Sequence, residues 1–439
     1  MVTTHLKSHG HRAHTWLAFL TLAISTALHT AGGAPPAKTG AGLNGVNYYS
    51  SFSPFSDAIK TIRWIDVASW NTNGYPAAAK PGATVSGRTG IGSGESWPSG
   101  QYTLRWEGSG EVTLTGPSSA KLVSEDLTGT VKTRVYDVVT ERNGLAVEIP
   151  SFPVDKMELW LPGLADHASL WNPEYLRYVK PFAGGPLRFM DLNGTNGSDQ
   201  INWDDRTPRN WSSYTNKNNK SAEWRVKGAA SYESMIELCN ELDADMWICV
   251  PHKASDDYIR NLASLIKTGI DPATGEQVTE PLAPHLRVWI EYSNEVWNWN
   301  FAQSNYVLKN FPGDQLDARY AYRANQVFDS FESVYGGTDR LVRVIGTQTG
   351  WGGGMRSRQR LEVLDRSDYD VLAVTTYFKY DMHQWIYDNR ETATPEAAID
   401  ELARRIGSGP FSENDVHEDN EDCYWHYEIG REFDVPVVA

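Results

Sequence analysis

Between Val288 and Trp299 an apolar run, Val288-Trp289-Ile290-Glu291-Tyr292, leads through Ser293 into Asn294-Glu295 and then into Trp297 and Trp299. A carboxyl group flanked by indole rings loses part of its water, which favours the protonated form and suits it to act as a general acid. A surface Glu that merely follows a strand is the alternative, and an Asn-Glu pair alone is a frequent coincidence. Arg188, in Leu187-Arg188-Phe189-Met190-Asp191, is a charge inside an otherwise apolar segment and needs a partner. A structural ion pair with Asp191 or another carboxylate would supply one. His252 follows Val250-Pro251, Tyr377 lies in Thr375-Thr376-Tyr377-Phe378, and Gln348 and Trp351 lie in Gly346-Thr347-Gln348-Thr349-Gly350-Trp351. With Trp297, Trp203 and Trp211 these are candidates to line a binding site.

Most of these residues follow short apolar segments, which the sequence places at 45–47, 187–191, 246–250, 288–292, 341–345, 371–375 and 435–439. Helical periodicity falls between them at 231–242, 256–267, 319–335 and 395–406, and this alternation is the rhythm of a parallel α/β sheet. The fourth such strand carries Asn294-Glu295. In that position the segment resembles the acid/base signature of the large clan of retaining (β/α)8 glycoside hydrolases.

The resemblance implies a TIM (β/α)8 barrel in which Glu295 protonates the leaving oxygen and Asn294 holds the sugar 2-hydroxyl. It further implies that Arg188 steadies the nucleophile, that His252 binds substrate and that Tyr377 hydrogen-bonds the nucleophile. Trp297, Gln348 and Trp351 would line subsites, and Glu291, of the same strand parity as Glu295, would brace rather than react. The clan's nucleophile is a second Glu after strand 7, and the sequence reaches Ala439 before that Glu. The expectation is therefore a barrel incomplete at the C-terminus, with the nucleophile beyond Ala439 and this form inactive.

Between about Gly82 and Leu164 the texture changes to short alternating runs broken by Gly, Pro and Ser, without helical periodicity. Such spacing predicts an all-β sandwich domain inserted between strands 1 and 2. The expected organisation is a signal peptide at 1–34, a linker at 35–42, a first part of the barrel at 43–80, the inserted β-sandwich at 81–165 and the rest of the barrel at 166–439. Ile59, Ile62, Trp64 and Ile65 recur at roughly helical spacing within 58–68.

Residues 1–34 carry basic and His residues, then an apolar stretch from Trp16 to Leu28, then small residues, which is the layout of a secretory leader. A stretch this short argues against a spanning helix. A secreted protein, extracellular or periplasmic and free of the membrane after cleavage, is expected. Net charge of −15 with no basic stripe makes nucleic acid an unsuitable partner. The 17 Trp, 21 Tyr and 13 Phe suit sugars, whose C–H faces are apolar and whose rims want hydrogen bonds, although most such rings serve a core. Three cysteines form no zinc pattern, Gly352-Gly353-Gly354 lacks phosphate-loop spacing, and the acidic run 418–422 lacks EF-hand spacing. No metal or cofactor is expected.

The function expected is hydrolysis of a β-linked polysaccharide or oligosaccharide by retaining double displacement. Non-catalytic carbohydrate binding on a degenerate barrel is the alternative. An inverting hydrolase using Asp191 or Glu291 with a water is a third possibility.

Overall fold

The computed structural model describes residues 40–50, 52–91, 97–116, 120–140, 144–215, 227–348, 353–374 and 418–438, with single positions between 385 and 397. The expected signal peptide, the helix at 395–406, and both Tyr377 and Trp351 lie outside the described residues. Two compact units are distinguished: a larger one, Gly40–Phe311 with Arg323–Val342, and a smaller one that includes Pro312–Tyr322 and Arg343–Ala439.

The larger unit begins at β1 (Ala41–Gly42), which pairs in parallel with Leu187 and Arg188. The first strand therefore lies where a linker was expected, and Gly45-Val46-Asn47 is not a strand. Gly40 explains the close approach, since a Cβ there would sit 2.4 Å from the carbonyl oxygen of Pro186.

An antiparallel region follows. It comprises β2 (Arg63–Ile65), β3 (Val67–Trp70), β4 (Pro76–Ala79), β5 (Val85–Thr89), β6 (Gly100–Glu107), β7 (Glu111–Thr115), β8 (Lys121–Asp126), β9 (Val131–Val138), β10 (Leu145–Ser151) and β11 (Lys156–Trp160). These strands form two four-stranded sheets, β2-β5-β10-β7 and β11-β6-β9-β8, and a β3-β4 ribbon. Alternate side chains are buried, as in Tyr102, Leu104 and Trp106 of β6 and Leu145, Val147 and Ile149 of β10. The helix expected over 58–68 is instead a 3-10 turn at Ala58–Thr61 followed by β2 and β3. Trp64 and Ile65 are β-formers that pair with Gly87 and Ser86, and Asp66 at φ +62° separates the two strands.

Beyond β11 come α1 (Pro173–Val179), β12 (Pro186–Arg188), α2 (Tyr232–Leu242), β13 (Asp245–Val250), α3 (Asp256–Thr268), β14 (Val288–Tyr292) and α4 (Ala302–Asn310). The hydroxyls of Ser231 and Ser255 cap α2 and α3 by accepting from the backbone N–H groups of Ser234 and Tyr258. β12, β13 and β14 pair in parallel, with Met246 opposite Val288 and Val250 opposite Tyr292. β13 and β14 are almost wholly buried, which accounts for their continuous apolar runs.

α5 (Leu316–Tyr335) precedes β15 (Leu341–Thr347), α6 (Gly353–Leu361), β16 (Val371–Val374), α7 (Glu418–Glu432) and β17 (Val437–Val438). In the smaller unit β15, β16 and β17 pair in parallel. Its interior holds Arg360, fully buried, whose Nε donates to Asp317 at 2.7 Å and whose guanidinium lies 4.0 Å from the Tyr320 ring.

The expected TIM barrel with an inserted sandwich domain is not what the described residues form. The parallel sheet has seven strands in the order β1-β12-β13-β14-β15-β16-β17, with β1 and β17 as its end strands. Nor does the antiparallel region stand apart as a domain, because it shares the larger unit with β1, β12, β13 and β14. Buried polar bonds join it there. The Asp57 carboxylate accepts from Leu159 N–H at 2.8 Å, Lys60 Nζ donates to the Trp211 carbonyl, and Tyr214 N–H donates to the Lys60 carbonyl at 2.7 Å. Breaking such buried bonds leaves unsatisfied groups, so the region is held as part of the unit.

Candidate active site

β14 ends at Tyr292, and the chain then turns sharply. Ser293 N–H still reaches the Val250 carbonyl at 2.9 Å, continuing the β13 pairing by one step. Ser293 and Glu295 adopt left-handed conformations, with φ of +61° and +42°. Non-glycine residues pay a steric cost there, and such residues concentrate at functional sites. Asn298 N–H closes the turn on the Glu295 carbonyl at 2.8 Å, and the Ser304 hydroxyl binds the Asn298 carbonyl at 2.9 Å, tying the turn to α4.

The turn leaves Glu295 half-buried, with its Oε2 accepting from Asn298 Nδ2 at 2.9 Å. Trp297 is buried, whereas Trp299 is 53% exposed. The two indoles thus differ: Trp297 packs inward and Trp299 faces solvent.

Arg188, at the end of β12, supplies the electrostatics under this turn. Its Nε and Nη2 each donate to a different oxygen of Glu291 at 2.9 Å, and Nη2 also donates to Asn294 Oδ1 at 2.9 Å. The partner that its sequence position demanded is Glu291 rather than Asp191. Glu291 is almost fully buried and accepts two further bonds, from Trp247 Nε1 at 2.9 Å and the Cys249 thiol at 3.3 Å. Burial pushes the Cys249 thiol well above its usual range, with Arg188 opposing, so it stays protonated and donates.

Because guanidinium only donates, it fixes which end of the Asn294 amide faces it. Asn294 Nδ2 is thereby aimed at Asn196 Oδ1, 3.0 Å away, and that oxygen also accepts from Gln303 Nε2 at 2.8 Å. Gln303 Nε2 reaches the Asn294 carbonyl as well, at 2.8 Å. The structure therefore brings together Arg188, Glu291 and Asn294, with Glu295 next in the turn.

His252 lies just past β13 and is 1% exposed. Its carbonyl accepts from the Tyr292 hydroxyl at 2.9 Å, and its ring stands edge-on to Tyr306 at 5.2 Å. Among the described residues, neither ring nitrogen has a hydrogen-bond partner. Burial, reinforced by Lys253 and opposed by Asp199, pushes its pKa down to about 4, so the ring is neutral near pH 7. Gln348 is half-buried one residue past β15 in the smaller unit. Among the described residues no cluster of three or more His, Cys, Asp or Glu side chains is placed to hold a metal ion.

Sequence reading did not single out Trp247, Cys249, Asn196, Gln303 or Asn298. Parity could have found the first two, since Trp247 and Cys249 alternate along β13 like Glu291 on β14. Asn196, Gln303 and Asn298 sit in turns and on a helix, where no periodicity marks them.

No known protein-family model matches the chain, and no curated protein matches it. Among solved structures, a carbohydrate esterase family 2 enzyme with a carbohydrate binding domain from Corynascus thermopiles (Myceliophthora fergusii) aligns at 10% identity. The alignment covers 85% of this chain and 99% of that one, at a TM-score of 0.18. So low a score carries no inference about fold or activity.

Proposed function

We propose that the protein is a secreted glycosidase acting on a β-linked glycan, with Glu295 donating a proton to the leaving glycosidic oxygen. One observation carries this reading: Glu295 stands half-buried in a left-handed turn at the C-terminal end of a buried parallel strand, beside an Asn294 oriented by the Arg188–Glu291 pair. Strand C-termini of parallel sheets are where ligands and reacting groups gather. An amide with a fixed face can read a hydroxyl, and a carboxyl beside it can pass a proton to a leaving oxygen within hydrogen-bond reach. The leader-like layout of 1–34 supports export, and among the described residues no helix is long and apolar enough to cross a membrane.

We assign the proton donor alone, because a retaining course needs a second carboxylate about 5–5.5 Å away and Glu291 is committed to Arg188. That commitment also favours a second reading, in which the site grips a glycan without cleaving it.

Release of reducing ends from β-glucan, xylan and mannan separates the two. Glu295→Gln is expected to lower turnover by roughly 10²–10⁴-fold, the usual contribution of a general acid. Turnover unchanged in the variant would remove Glu295 from the chemistry. Retention on a glycan gel with no reducing ends from the parent protein would favour the binding reading.

A further inference from the structure

Asn298 grips Glu295 at both ends. Its backbone N–H donates to the Glu295 carbonyl at 2.8 Å, and its side-chain Nδ2 donates to Glu295 Oε2 at 2.9 Å. We propose that Asn298 is a positioning residue for the proton transfer: it holds Oε2 as the oxygen that carries no proton, so that the proton leaves from Oε1. This inference rests on the glycosidase reading above and adds a residue to it.

The orientation of Asn298 is set by its other bonds. Its Oδ1 accepts from Asn300 N–H at 3.1 Å, so the opposite end of the amide, which only donates, is the one that faces Glu295. Its carbonyl accepts from the Ser304 hydroxyl at 2.9 Å, which anchors it to α4. On the same helix Gln303 is anchored too, since its Oε1 accepts from Gly197 N–H at 3.2 Å while its Nε2 donates to Asn196 and to the Asn294 carbonyl. Asn298 is half-buried, and a hydrogen bond there competes less with water than one at an open surface. A Glu side chain has much rotamer freedom to lose on being fixed. Bonds to its carbonyl and its carboxyl group within one short turn hold both the φ of +42° and the direction of the side chain.

An N–H donor distinguishes the two oxygens of a carboxyl group. In the protonated acid the carbonyl oxygen is the better acceptor, which makes Oε2 the carbonyl oxygen and puts the proton on Oε1. When the Oε1–H bond breaks, the proton bonds to the leaving glycosidic oxygen. The bond from that oxygen to the anomeric carbon breaks with its electron pair staying on oxygen, and water then bonds to the anomeric carbon and releases a proton in exchange. The charge left on Glu295 is shared with Oε2. The Asn298 bond thus becomes charge-assisted and strengthens toward the transition state, where stabilisation raises the rate.

Steady-state kinetics of the full chain on phenyl and 2,4-dinitrophenyl β-glucosides, β-xylosides and β-mannosides test this. The proteins compared are the parent, Asn298→Ala, Asn298→Asp, Glu295→Gln and the double variant Asn298→Ala/Glu295→Gln. Asn298→Asp keeps an acceptor for Asn300 N–H while removing the donor to Glu295, so it serves if Asn298→Ala fails to fold. Each Asn298 variant is expected to lower kcat on the phenyl substrate by about tenfold or more, with KM within about threefold of the parent. On the dinitrophenyl substrate, which needs no acid, kcat/KM is expected to fall by less than about threefold. The double variant is expected to match Glu295→Gln within about twofold, because both residues act through one carboxyl group. A merely structural role would slow both leaving groups alike and would add to the Glu295→Gln loss, and either result overturns the proposal. Phenyl turnover that Glu295→Gln cripples and the Asn298 variants leave unchanged overturns it alone. A parent that turns over none of these glycosides removes the glycosidase reading and this proposal with it.

Discussion

Arg188 controls the orientation of Asn294, because it is the shared donor to Glu291 and to the side-chain Oδ1 of Asn294. Removing it strands a nearly buried carboxylate, which typically costs several kcal/mol. Arg188→Met is expected to lower unfolding free energy by about 3 kcal/mol in urea melts, and Arg188→Lys to recover little, since an ammonium lacks the two-pronged fork. A loss well under about 1 kcal/mol would show that Glu291 does not depend on this pair. His252 gives a pH signature. Its pKa lies at about 4 in the fold against 6.5 ordinarily, because burial disfavours the charged ring. Above 6.5 the ring is neutral in both states and its contribution is fully present. As pH falls toward 4, the unfolded chain takes up a proton that the native state refuses, so stability drops through that window. His252→Phe should abolish this part of the slope, improving relative to the parent by about 3 kcal/mol between about pH 7 and about pH 4. Parallel stability curves for the two proteins would contradict the burial account. The sequence showed that Arg188 needed a partner, but left Asp191 and other carboxylates open. The pairing spans 103 residues, and strand register decides it.

At the scale of elements, the turn after β14 concentrates unfavourable features in a few residues. Ser293 has a left-handed backbone, and its buried hydroxyl finds no partner among the described residues. Ser293→Gly relieves both and is expected to stabilise the protein by about 1 kcal/mol in equilibrium unfolding. Destabilisation by this change would mean that the hydroxyl is engaged. Elements with a strong local signal were legible. β13 and β14 were found as continuous apolar runs, and α2 and α3 by helical spacing within a residue or so. Others carried no such signal. β8 is exposed at every position and has no buried face to impose alternation, so Lys121–Asp126 reads as a loop. Segment 58–68 carries helical spacing by coincidence, and pairing with β5 overrides it. Gly45-Val46-Asn47 was read as a strand, yet these residues line the wall of a cleft.

For the whole molecule, the later six of the seven parallel strands lie where the alternation of strands and helices places them, while the first lies at Ala41–Gly42 instead of 45–47. Closure into a barrel is a different property, since it requires the first strand to pair with a last one, and no local pattern encodes that. The described strands form a seven-stranded sheet with two end strands. The same limit applies to the antiparallel region, of whose strands β6, β7, β9, β10 and β11 were legible from alternation. Its attachment was not, because it depends on Asp57 and Lys60 meeting partners about 100 and 150 residues away. A buried strand, an oriented Asn294 and a half-buried Glu295 support the proposal that Glu295 is a proton donor, and dependence on the leaving group tests it most directly. Acid catalysis helps a departing oxygen only when that oxygen is a poor leaving group. Glu295→Gln is expected to slow phenyl β-glycosides by roughly 10²–10⁴-fold and 2,4-dinitrophenyl β-glycosides by no more than about tenfold. Equal losses on both substrates, or none on either, would contradict it.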